Sequence, residues 1–320
     1  MSCYELWTLI DNRDYIETNC YQHQMSYALE AEFDVRYVPM DRLEMLAQAP
    51  ADAHVLSRLK LRTAFNSLPR LRSVLAGRKV IVYDQDPWES FMIGGAYSGA
   101  YQRIAEALNV STFLNISHWW RDRVIECGLP STFVQVWTLD RYCRGGAFKQ
   151  PIPWAHRKYD AVFCGTMYPR RKEFFDRLKA LGLEVQVLPA GRDYREYLDD
   201  IAHAKVAIRS ENVSWTIDVA GQARTITSAN ALWKRDIETA AQGCFSMRDL
   251  DDEAKEWNVS SIPTIIPFIS PEDAVRNFKY VMSMSAEGAD QLVKEGCDYI
   301  RNAPGWRQMC DVVRGILEAK

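Results

Sequence analysis

Short unbroken apolar runs alternate with stretches of helical spacing along most of the chain. Tyr4–Ile10 is an apolar and aromatic run closed by Asp11 and Asn12, and residues 35–38 form a second, with a mixed stretch around residues 27–31 between them. Runs of this length bounded by turn residues read as buried strands, so the predicted order is β-α-β. Residues 42–49 and 58–75 have helical spacing. Gly77 then introduces Val80, Ile81, Val82 and Tyr83, the strongest strand signal of the first half, which stops at Asp84-Gln85-Asp86-Pro87. A polar break at the carboxyl end of a buried strand is where open α/β sheets place ligands. Residues 99–108 read as helix, 111–116 as strand, 119–127 as a helix closed by Gly128, and 133–137 as strand.

Residues 144–156 gather Gly and Pro without periodicity and read as a linker. A second series follows: strand 161–164, helix 171–181, strand 183–188, helix 194–203, strand 205–208, helix 228–242, strand 244–247 and helix 271–284. Strands alternating with helices on both sides of one linker predict an α/β protein of two doubly wound, Rossmann-like units, 1–150 and 151–320. Length supports two cores, because 320 residues exceed what one core usually fills.

Composition narrows the partners. A formal net charge of −3 provides no global field toward nucleic acid or anionic lipid. The eight cysteines stand singly, without a C-x-x-C pair or a His-rich spacing beside them, which predicts reduced thiols and no metal site. The N-terminus carries no basic region ahead of an apolar core, and no apolar run approaches the roughly 20 residues that span a bilayer. A cytoplasmic protein without membrane insertion is expected.

Two stretches carry candidate chemistry. In the first, Phe163-Cys164-Gly165-Thr166-Met167-Tyr168-Pro169-Arg170-Arg171-Lys172, a strand ends in Gly and leads into a helix whose first turn holds three cations. Gly165 allows close backbone approach, a helix N-terminus presents unpaired N–H groups, and guanidinium grips phosphate bidentately. The competing reading is a solvated basic face, but cations at an N-terminus oppose the macrodipole and call for a compensating anion. The second stretch runs from Thr227-Ser228-Ala229-Asn230 to Arg235, Glu238 and Gly243. Arg235 and Glu238 share a helical face, where a carboxylate can accept from sugar hydroxyls; by spacing alone an ordinary ion pair is the simpler reading.

These stretches resemble the GT-B glycosyltransferases of the group 1 superfamily, and more narrowly their CgeB-like, spore-maturation branch. The pattern G-[ST]-x-Y-P-x-R between strand and helix is met by Gly165, Thr166, Tyr168, Pro169 and Arg171, and R-x-x-E-x-A-A-x-G by Arg235, Glu238, Ala240, Ala241 and Gly243. Leu114-Asn115-Ile116-Ser117, Cys127-Gly128 and Leu139-Asp140 add weaker agreement, so the likeness spans about residues 80–285. It implies two Rossmann-like domains facing across a cleft, with a C-terminal helix crossing back to the first. It also implies a nucleoside-diphosphate sugar, such as a UDP-sugar, held by the second domain. Arg171, with Arg170 or Lys172, would hold the diphosphate and Glu238 the ribose or sugar, with Gly165, Thr166, Tyr168, Ser228 and Arg235 completing the donor site. No cofactor beyond this co-substrate is implied, side-chain cations replace Mg²⁺, and transfer is of the retaining kind. The sequence departs from the superfamily where a second Glu would stand: that position is Ser246, and the nearest acid is Asp249.

A base for the acceptor is sought at the strand ends of the first domain, where Asp84, Asp86 and His118 are the candidates. Turn chemistry explains Asp86 before Pro87 equally well, and His118 beside Trp119 and Trp120 reads also as a packed side chain. Trp88, Phe91, Tyr97 and Tyr101 form either an acceptor platform or core. The acceptor is a sugar-bearing or other hydroxyl compound; nucleic acid enters only as an acceptor. The alternatives are a sugar-nucleotide epimerase or phosphorylase of the same fold, or an inactive module that binds a glycan or a partner.

Overall fold

The computed structural model describes residues 4–12, 20–84, 86–134, 150–188, 194–210, 214–227, 234–250, 262–303 and 306–319. Ser228, the start of the helix expected from 228, the first part of the expected linker and the end of the strand expected at 133–137 lie outside them. The first part of the chain gives β1 (Tyr4–Ile10), α1 (Cys20–Glu32), β2 (Phe33–Pro39), a 3-10 stretch (Met40–Gln48), β3 (His54–Ser57), α2 (Leu61–Asn66) and α3 (Leu68–Val74). There follow β4 (Lys79–Asp84), α4 (Trp88–Phe91), α5 (Ala100–Ala107), β5 (Val110–Asn115), α6 (His118–Glu126) and β6 (Ser131–Phe133). The second series is β7 (Tyr159–Cys164), α7 (Pro169–Ala180), β8 (Gln186–Leu188), α8 (Tyr194–Ala202) and β9 (Ala204–Arg209), then the hairpin β10 (Trp215–Val219) and β11 (Gln222–Ile226). The chain closes with α9 (Lys234–Ala241), β12 (Phe245–Asp249), β13 (Ile265–Phe268), α10 (Pro271–Met282), α11 (Ala286–Asn302) and α12 (Arg307–Glu318).

These elements form two compact α/β units. The first comprises Met1–Gln135, Trp215–Thr225 and Trp306–Lys320, the second Val136–Ser214 and Ile226–Gly305. A single boundary at 150 therefore does not describe the chain. The hairpin joins the first unit because alternate residues Ile217 and Val219 are buried there, Met92 bridges Ile217, and Trp88 stacks on Trp215 at 5.4 Å. α12 joins it through buried Met309, Cys310 and Val313 and an Arg314–Glu32 ion pair at 2.5 Å.

Each unit is a Rossmann-like layer structure. The first sheet has the order β2-β1-β3-β4-β5-β6 and the second β13-β12-β9-β7-β8, with parallel pairing throughout. β4 is buried at every position after Lys79, which explains its unbroken apolar run: helices cover both faces of a parallel sheet. In the second unit Phe163, Val206, Ile208, Phe245 and Met247 form the strand side of a core closed by Phe174, Leu178 and Val293. Gly243 ends α9 with φ +77°, and a Cβ there would sit 2.8 Å from both Pro151 and Val293. No helix among the described residues is long and apolar enough to cross a membrane.

Candidate functional site

In the second unit the chain passes from β7 to β8 on one side and reaches β9 on the other. The carboxyl ends of β7 and β9 thus flank a topological switch point, the place where a doubly wound sheet opens a crevice. β7 ends at Cys164 and continues through Gly165 and Thr166 to α7, which starts with Pro169 after the N-cap Tyr168. Proline suits this first position because its missing N–H is one that the helix could not pair. No side-chain hydrogen bond caps this N-terminus, so the first-turn amides and the helix dipole suit an anion.

Three guanidinium groups organise the loop. Buried Arg209 donates from Nη1 to the Cys164 carbonyl at 2.9 Å and from Nη2 to Tyr197 Oη at 3.0 Å and Thr239 Oγ1 at 3.2 Å. Buried Arg171 donates from Nε to the Ser210 carbonyl at 2.8 Å and from Nη1 to the Thr166 carbonyl at 2.5 Å. Its guanidinium also lies 5.2 Å from the ring centres of Phe163 and Tyr168. Exposed Arg235 donates from Nη1 to the Cys164 carbonyl at 3.2 Å. A trans peptide directs C=O and N–H to opposite sides. Fixing the oxygens of Cys164 and Thr166 on guanidinium groups therefore turns the N–H groups of Gly165 and Met167 away from them. Gly165 is needed for the close approach, because a Cβ would meet Phe163 Cζ at 2.9 Å and Arg235 Nη1 at 3.3 Å.

The remaining donor-side candidates divide by exposure. Thr166, Tyr168, Arg170 and Lys172 are exposed, and Lys172 pairs with Asp176 at 2.5 Å. Glu238 is buried, and its Oε1 accepts from Tyr194 Oη at 2.5 Å. Burial raises the pKa of Tyr197, beside Tyr194 in a stacked pair at 6.2 Å, although Arg209 opposes that shift. Ser246, at the position of the absent second Glu, is fully buried and donates from Oγ to Asp236 Oδ1 at 3.0 Å. Asp249 accepts from Ser210 Oγ at 2.9 Å. Tyr194, Tyr197, Arg209, Ser210 and Asp236 were not marked by any motif. The Arg-Ser pair at the end of an apolar strand was the available signal.

In the first unit Asp84 and Asp86 do not continue the strand side by side. β4 ends at Asp84, whose Oδ1 accepts from the Asp86 amide at 3.0 Å and whose Oδ2 accepts from Tyr101 Oη at 2.9 Å. The buried Tyr101 phenol is held well above its ordinary pKa, first by burial and then by the Asp84 charge. His118 opens α6, and its ring stacks on Phe133 at 3.6 Å. Of the aromatic group, Phe91 and Tyr101 are core, while Trp88 and Tyr97 are half-buried. The first sheet turns between β1 and β3, where Asp11 Oδ2 accepts from the Lys60 amide at 3.2 Å and buried Arg58 donates to Ser26 Oγ at 3.0 Å. Among the described residues no three His, Cys, Asp or Glu side chains gather into a metal-holding group.

No protein-family model matches the sequence, and neither does any curated protein. Solved structures do match in fold. A sucrose-phosphate synthase from Thermosynechococcus elongatus superposes with a TM-score of 0.63 at 11% identity, covering 99% of this chain and 100% of that one. An α,α-trehalose-phosphate synthase (UDP-forming) from Burkholderia vietnamiensis gives 0.62 at 7% identity, covering 100% and 99%. An α-glucosyltransferase in complex with UDP and a 13-mer DNA containing an HMU base gives 0.59 at 9% identity, covering 99% and 100%. Identities this low speak to fold alone, and the fold, two Rossmann-like α/β units with parallel sheets, is that of the GT-B glycosyltransferases.

Proposed function

We propose that this chain is a glycosyltransferase that moves a sugar from a nucleoside-diphosphate sugar to a hydroxyl acceptor, without a metal. The observation that carries the reading is the loop after β7, whose carbonyls are gripped by Arg171, Arg209 and Arg235 beside an N-terminus that no side chain caps. Preorganised N–H groups and cations of this kind stabilise the charge that develops on a departing diphosphate. The Gly165 and Met167 amides, the α7 dipole and Arg235 would take that charge, with Arg170 at the rim. Arg171 acts by holding the loop in shape. Glu238, positioned by Tyr194, would accept from donor hydroxyls. UDP is the first nucleotide to test, because two of the three structures reported above are named with it. Membership of the CgeB-like branch and a retaining outcome belong to the same proposal and rest on the motif likeness.

The decisive experiment is a thermal-shift panel of UDP-, GDP-, TDP- and CDP-sugars followed by donor-dependent sugar release with and without EDTA. A ligand at a hundred times its dissociation constant stabilises by about 2.7 kcal/mol. One nucleotide should shift the full chain, and turnover should survive chelation. No shift with any nucleotide removes the donor reading; loss of turnover on chelation, restored by Mn²⁺, removes the metal-free mechanism.

A further inference from the structure

Net charge conceals a local imbalance in the first unit. Residues 53–83 hold seven cations and no carboxylate, in a chain whose acids outnumber its bases by 42 to 39. This segment runs through β3, α2 and α3 into β4. It thus crosses one side of the sheet, from the carboxyl end of one strand to the amino end of its parallel neighbour.

Two of the seven cations are explained by the fold. Arg58 is buried and donates to Ser26 Oγ at 3.0 Å. Arg78 donates to the carbonyls of Val74, Leu46 and Ala49, each at 3.0 Å. The other five, Lys60, Arg62, Arg70, Arg72 and Lys79, are exposed. α5 packs along α2 and α3 and adds exposed Arg103, whose guanidinium lies 5.5 Å from the Phe65 ring centre. Arg62 is about one turn from Phe65 on α2, which places Arg62 and Arg103 in one neighbourhood. Arg70 is steadied by the Met40 carbonyl, to which its Nη1 donates at 3.0 Å. Among the described residues no carboxylate forms an ion pair with Arg62, Arg70, Arg72, Lys79 or Arg103. Glu89 acts on Arg62 only through space, and Glu106 and Asp41 are exposed at the rim.

Like charges fixed on helices without counter-ions repel one another, and a polyanion relieves that repulsion at several positions together. A bilayer does not fit. The exposed residues between the cations are Asn66, Pro69, Ser73, Ala76 and Gly77, so no large apolar side chain stands ready to enter lipid. Four of the six exposed cations are arginines, whose planar fork takes two oxygens of one phosphate. Arg62 and Arg72 are separated by up to about 15 Å along the helices. A nucleic-acid strand presents a phosphate about every 3.4 Å of duplex axis, so several fall within that span.

We propose that the α2–α3 face docks the sugar-phosphate backbone of nucleic acid, with Arg62, Arg70, Arg72 and Arg103 each taking a phosphate. Such contacts carry no base information, so the docking is independent of sequence. Service of the bound strand as sugar acceptor rests on the transferase reading; the docking does not.

Full-length protein is titrated into fluorescently labelled short duplex DNA of two unrelated sequences, and anisotropy is followed between about 50 and 200 mM salt. Both duplexes should bind equally. Log K should fall against log salt with a slope of about −3 to −4, as four phosphate contacts require. Arg62→Gln combined with Arg72→Gln, checked for unaltered melting, should lessen the slope by about two and weaken binding at least about tenfold at the lowest salt. Lys279→Gln combined with Lys294→Gln removes the same charge from exposed positions of α10 and α11 and should leave the slope unchanged. No binding at the lowest salt, equal losses in the two double variants, or binding to phosphatidylserine vesicles but not to DNA overturns the proposal. UDP thermal shifts measured in parallel keep the two readings apart. DNA binding with no nucleotide shift sinks the transferase reading alone, whereas a UDP shift without DNA binding sinks the docking face alone.

Discussion

The two sheets share a plan and differ in chemistry. Each is parallel and reverses beside its first strand, β1 between β2 and β3, β7 between β8 and β9. At the second reversal, guanidinium groups hold the loop oxygens of Cys164 and Thr166. In the first sheet the corresponding edge is closed by carboxylates: Asp11 takes the Lys60 amide, and Asp84 takes Tyr101 Oη and the amide of its own loop. Topology supplies a crevice in both cases. The residues at its lip decide whether it suits an anion, and at the second lip cations hold the loop carbonyls.

The largest effect expected from this contrast is on stability. Arg209→Met removes every bond of a buried guanidinium, takes its partner from the Tyr197 hydroxyl and leaves the Cys164 carbonyl to Arg235. A loss of about 3–5 kcal/mol is expected, read as a fall in melting temperature of about 2–4 °C for each kcal/mol. Asp84→Asn keeps its shape and an acceptor for Tyr101, so it should cost no more than about 1.5 kcal/mol. Equal losses in the two variants would mean that the arginine network has no special role in the second unit.

Function should separate the lips next. Glu238→Gln replaces a charged acceptor with an amide at a buried position facing Tyr194. Charge-assisted bonds contribute about 1.5–3 kcal/mol, so kcat/KM for the donor should fall roughly ten- to a hundredfold while melting changes little. Asp84→Asn should leave the UDP-induced thermal shift unaltered. A Gln variant with unchanged kinetics takes Glu238 out of the donor site, and an Asn variant that abolishes the UDP shift moves that site to the first lip.

Much of the fold was legible because parallel strands buried on both faces leave unbroken apolar runs, as at β4 and β7. β3, with four residues at His54–Ser57, falls between the two stretches of helical spacing, 42–49 and 58–75, and is too short to stand out as a strand. The β10–β11 hairpin was missed because only alternate residues are apolar and its partner lies far away in sequence, at Met92. The Gly165 loop could be found from strand, Gly, Pro and cations in order. What could not be read was the direction of each cation. Arg171 turns inward to two carbonyls, whereas its neighbour Lys172 faces solvent. The Ser246–Asp236 bond likewise depends on how a strand and a helix pack. The spacing of a motif does not contain that information.

The smallest predicted effect tests that direction. Sequence grouped Arg170, Arg171 and Lys172 as one phosphate grip, but successive helical residues are turned about 100° from one another. Lys172 is on the exposed side of α7, with side-chain exposures of 66% for itself and 62% for its partner Asp176. An exposed i,i+4 pair contributes about 0.3–0.5 kcal/mol. Lys172→Ala should therefore cost about that much stability and change the UDP dissociation constant no more than about twofold. Arg235→Ala removes the cation that sits 3.3 Å from a Cβ built on Gly165 and should weaken UDP about tenfold, the loss of one charged hydrogen bond. Isothermal titration on both variants compares the two faces of the loop directly. If Lys172→Ala weakens UDP as much as Arg235→Ala does, the diphosphate lies over the exposed flank of α7, and the turned-out amides of Gly165 and Met167 are not its seat.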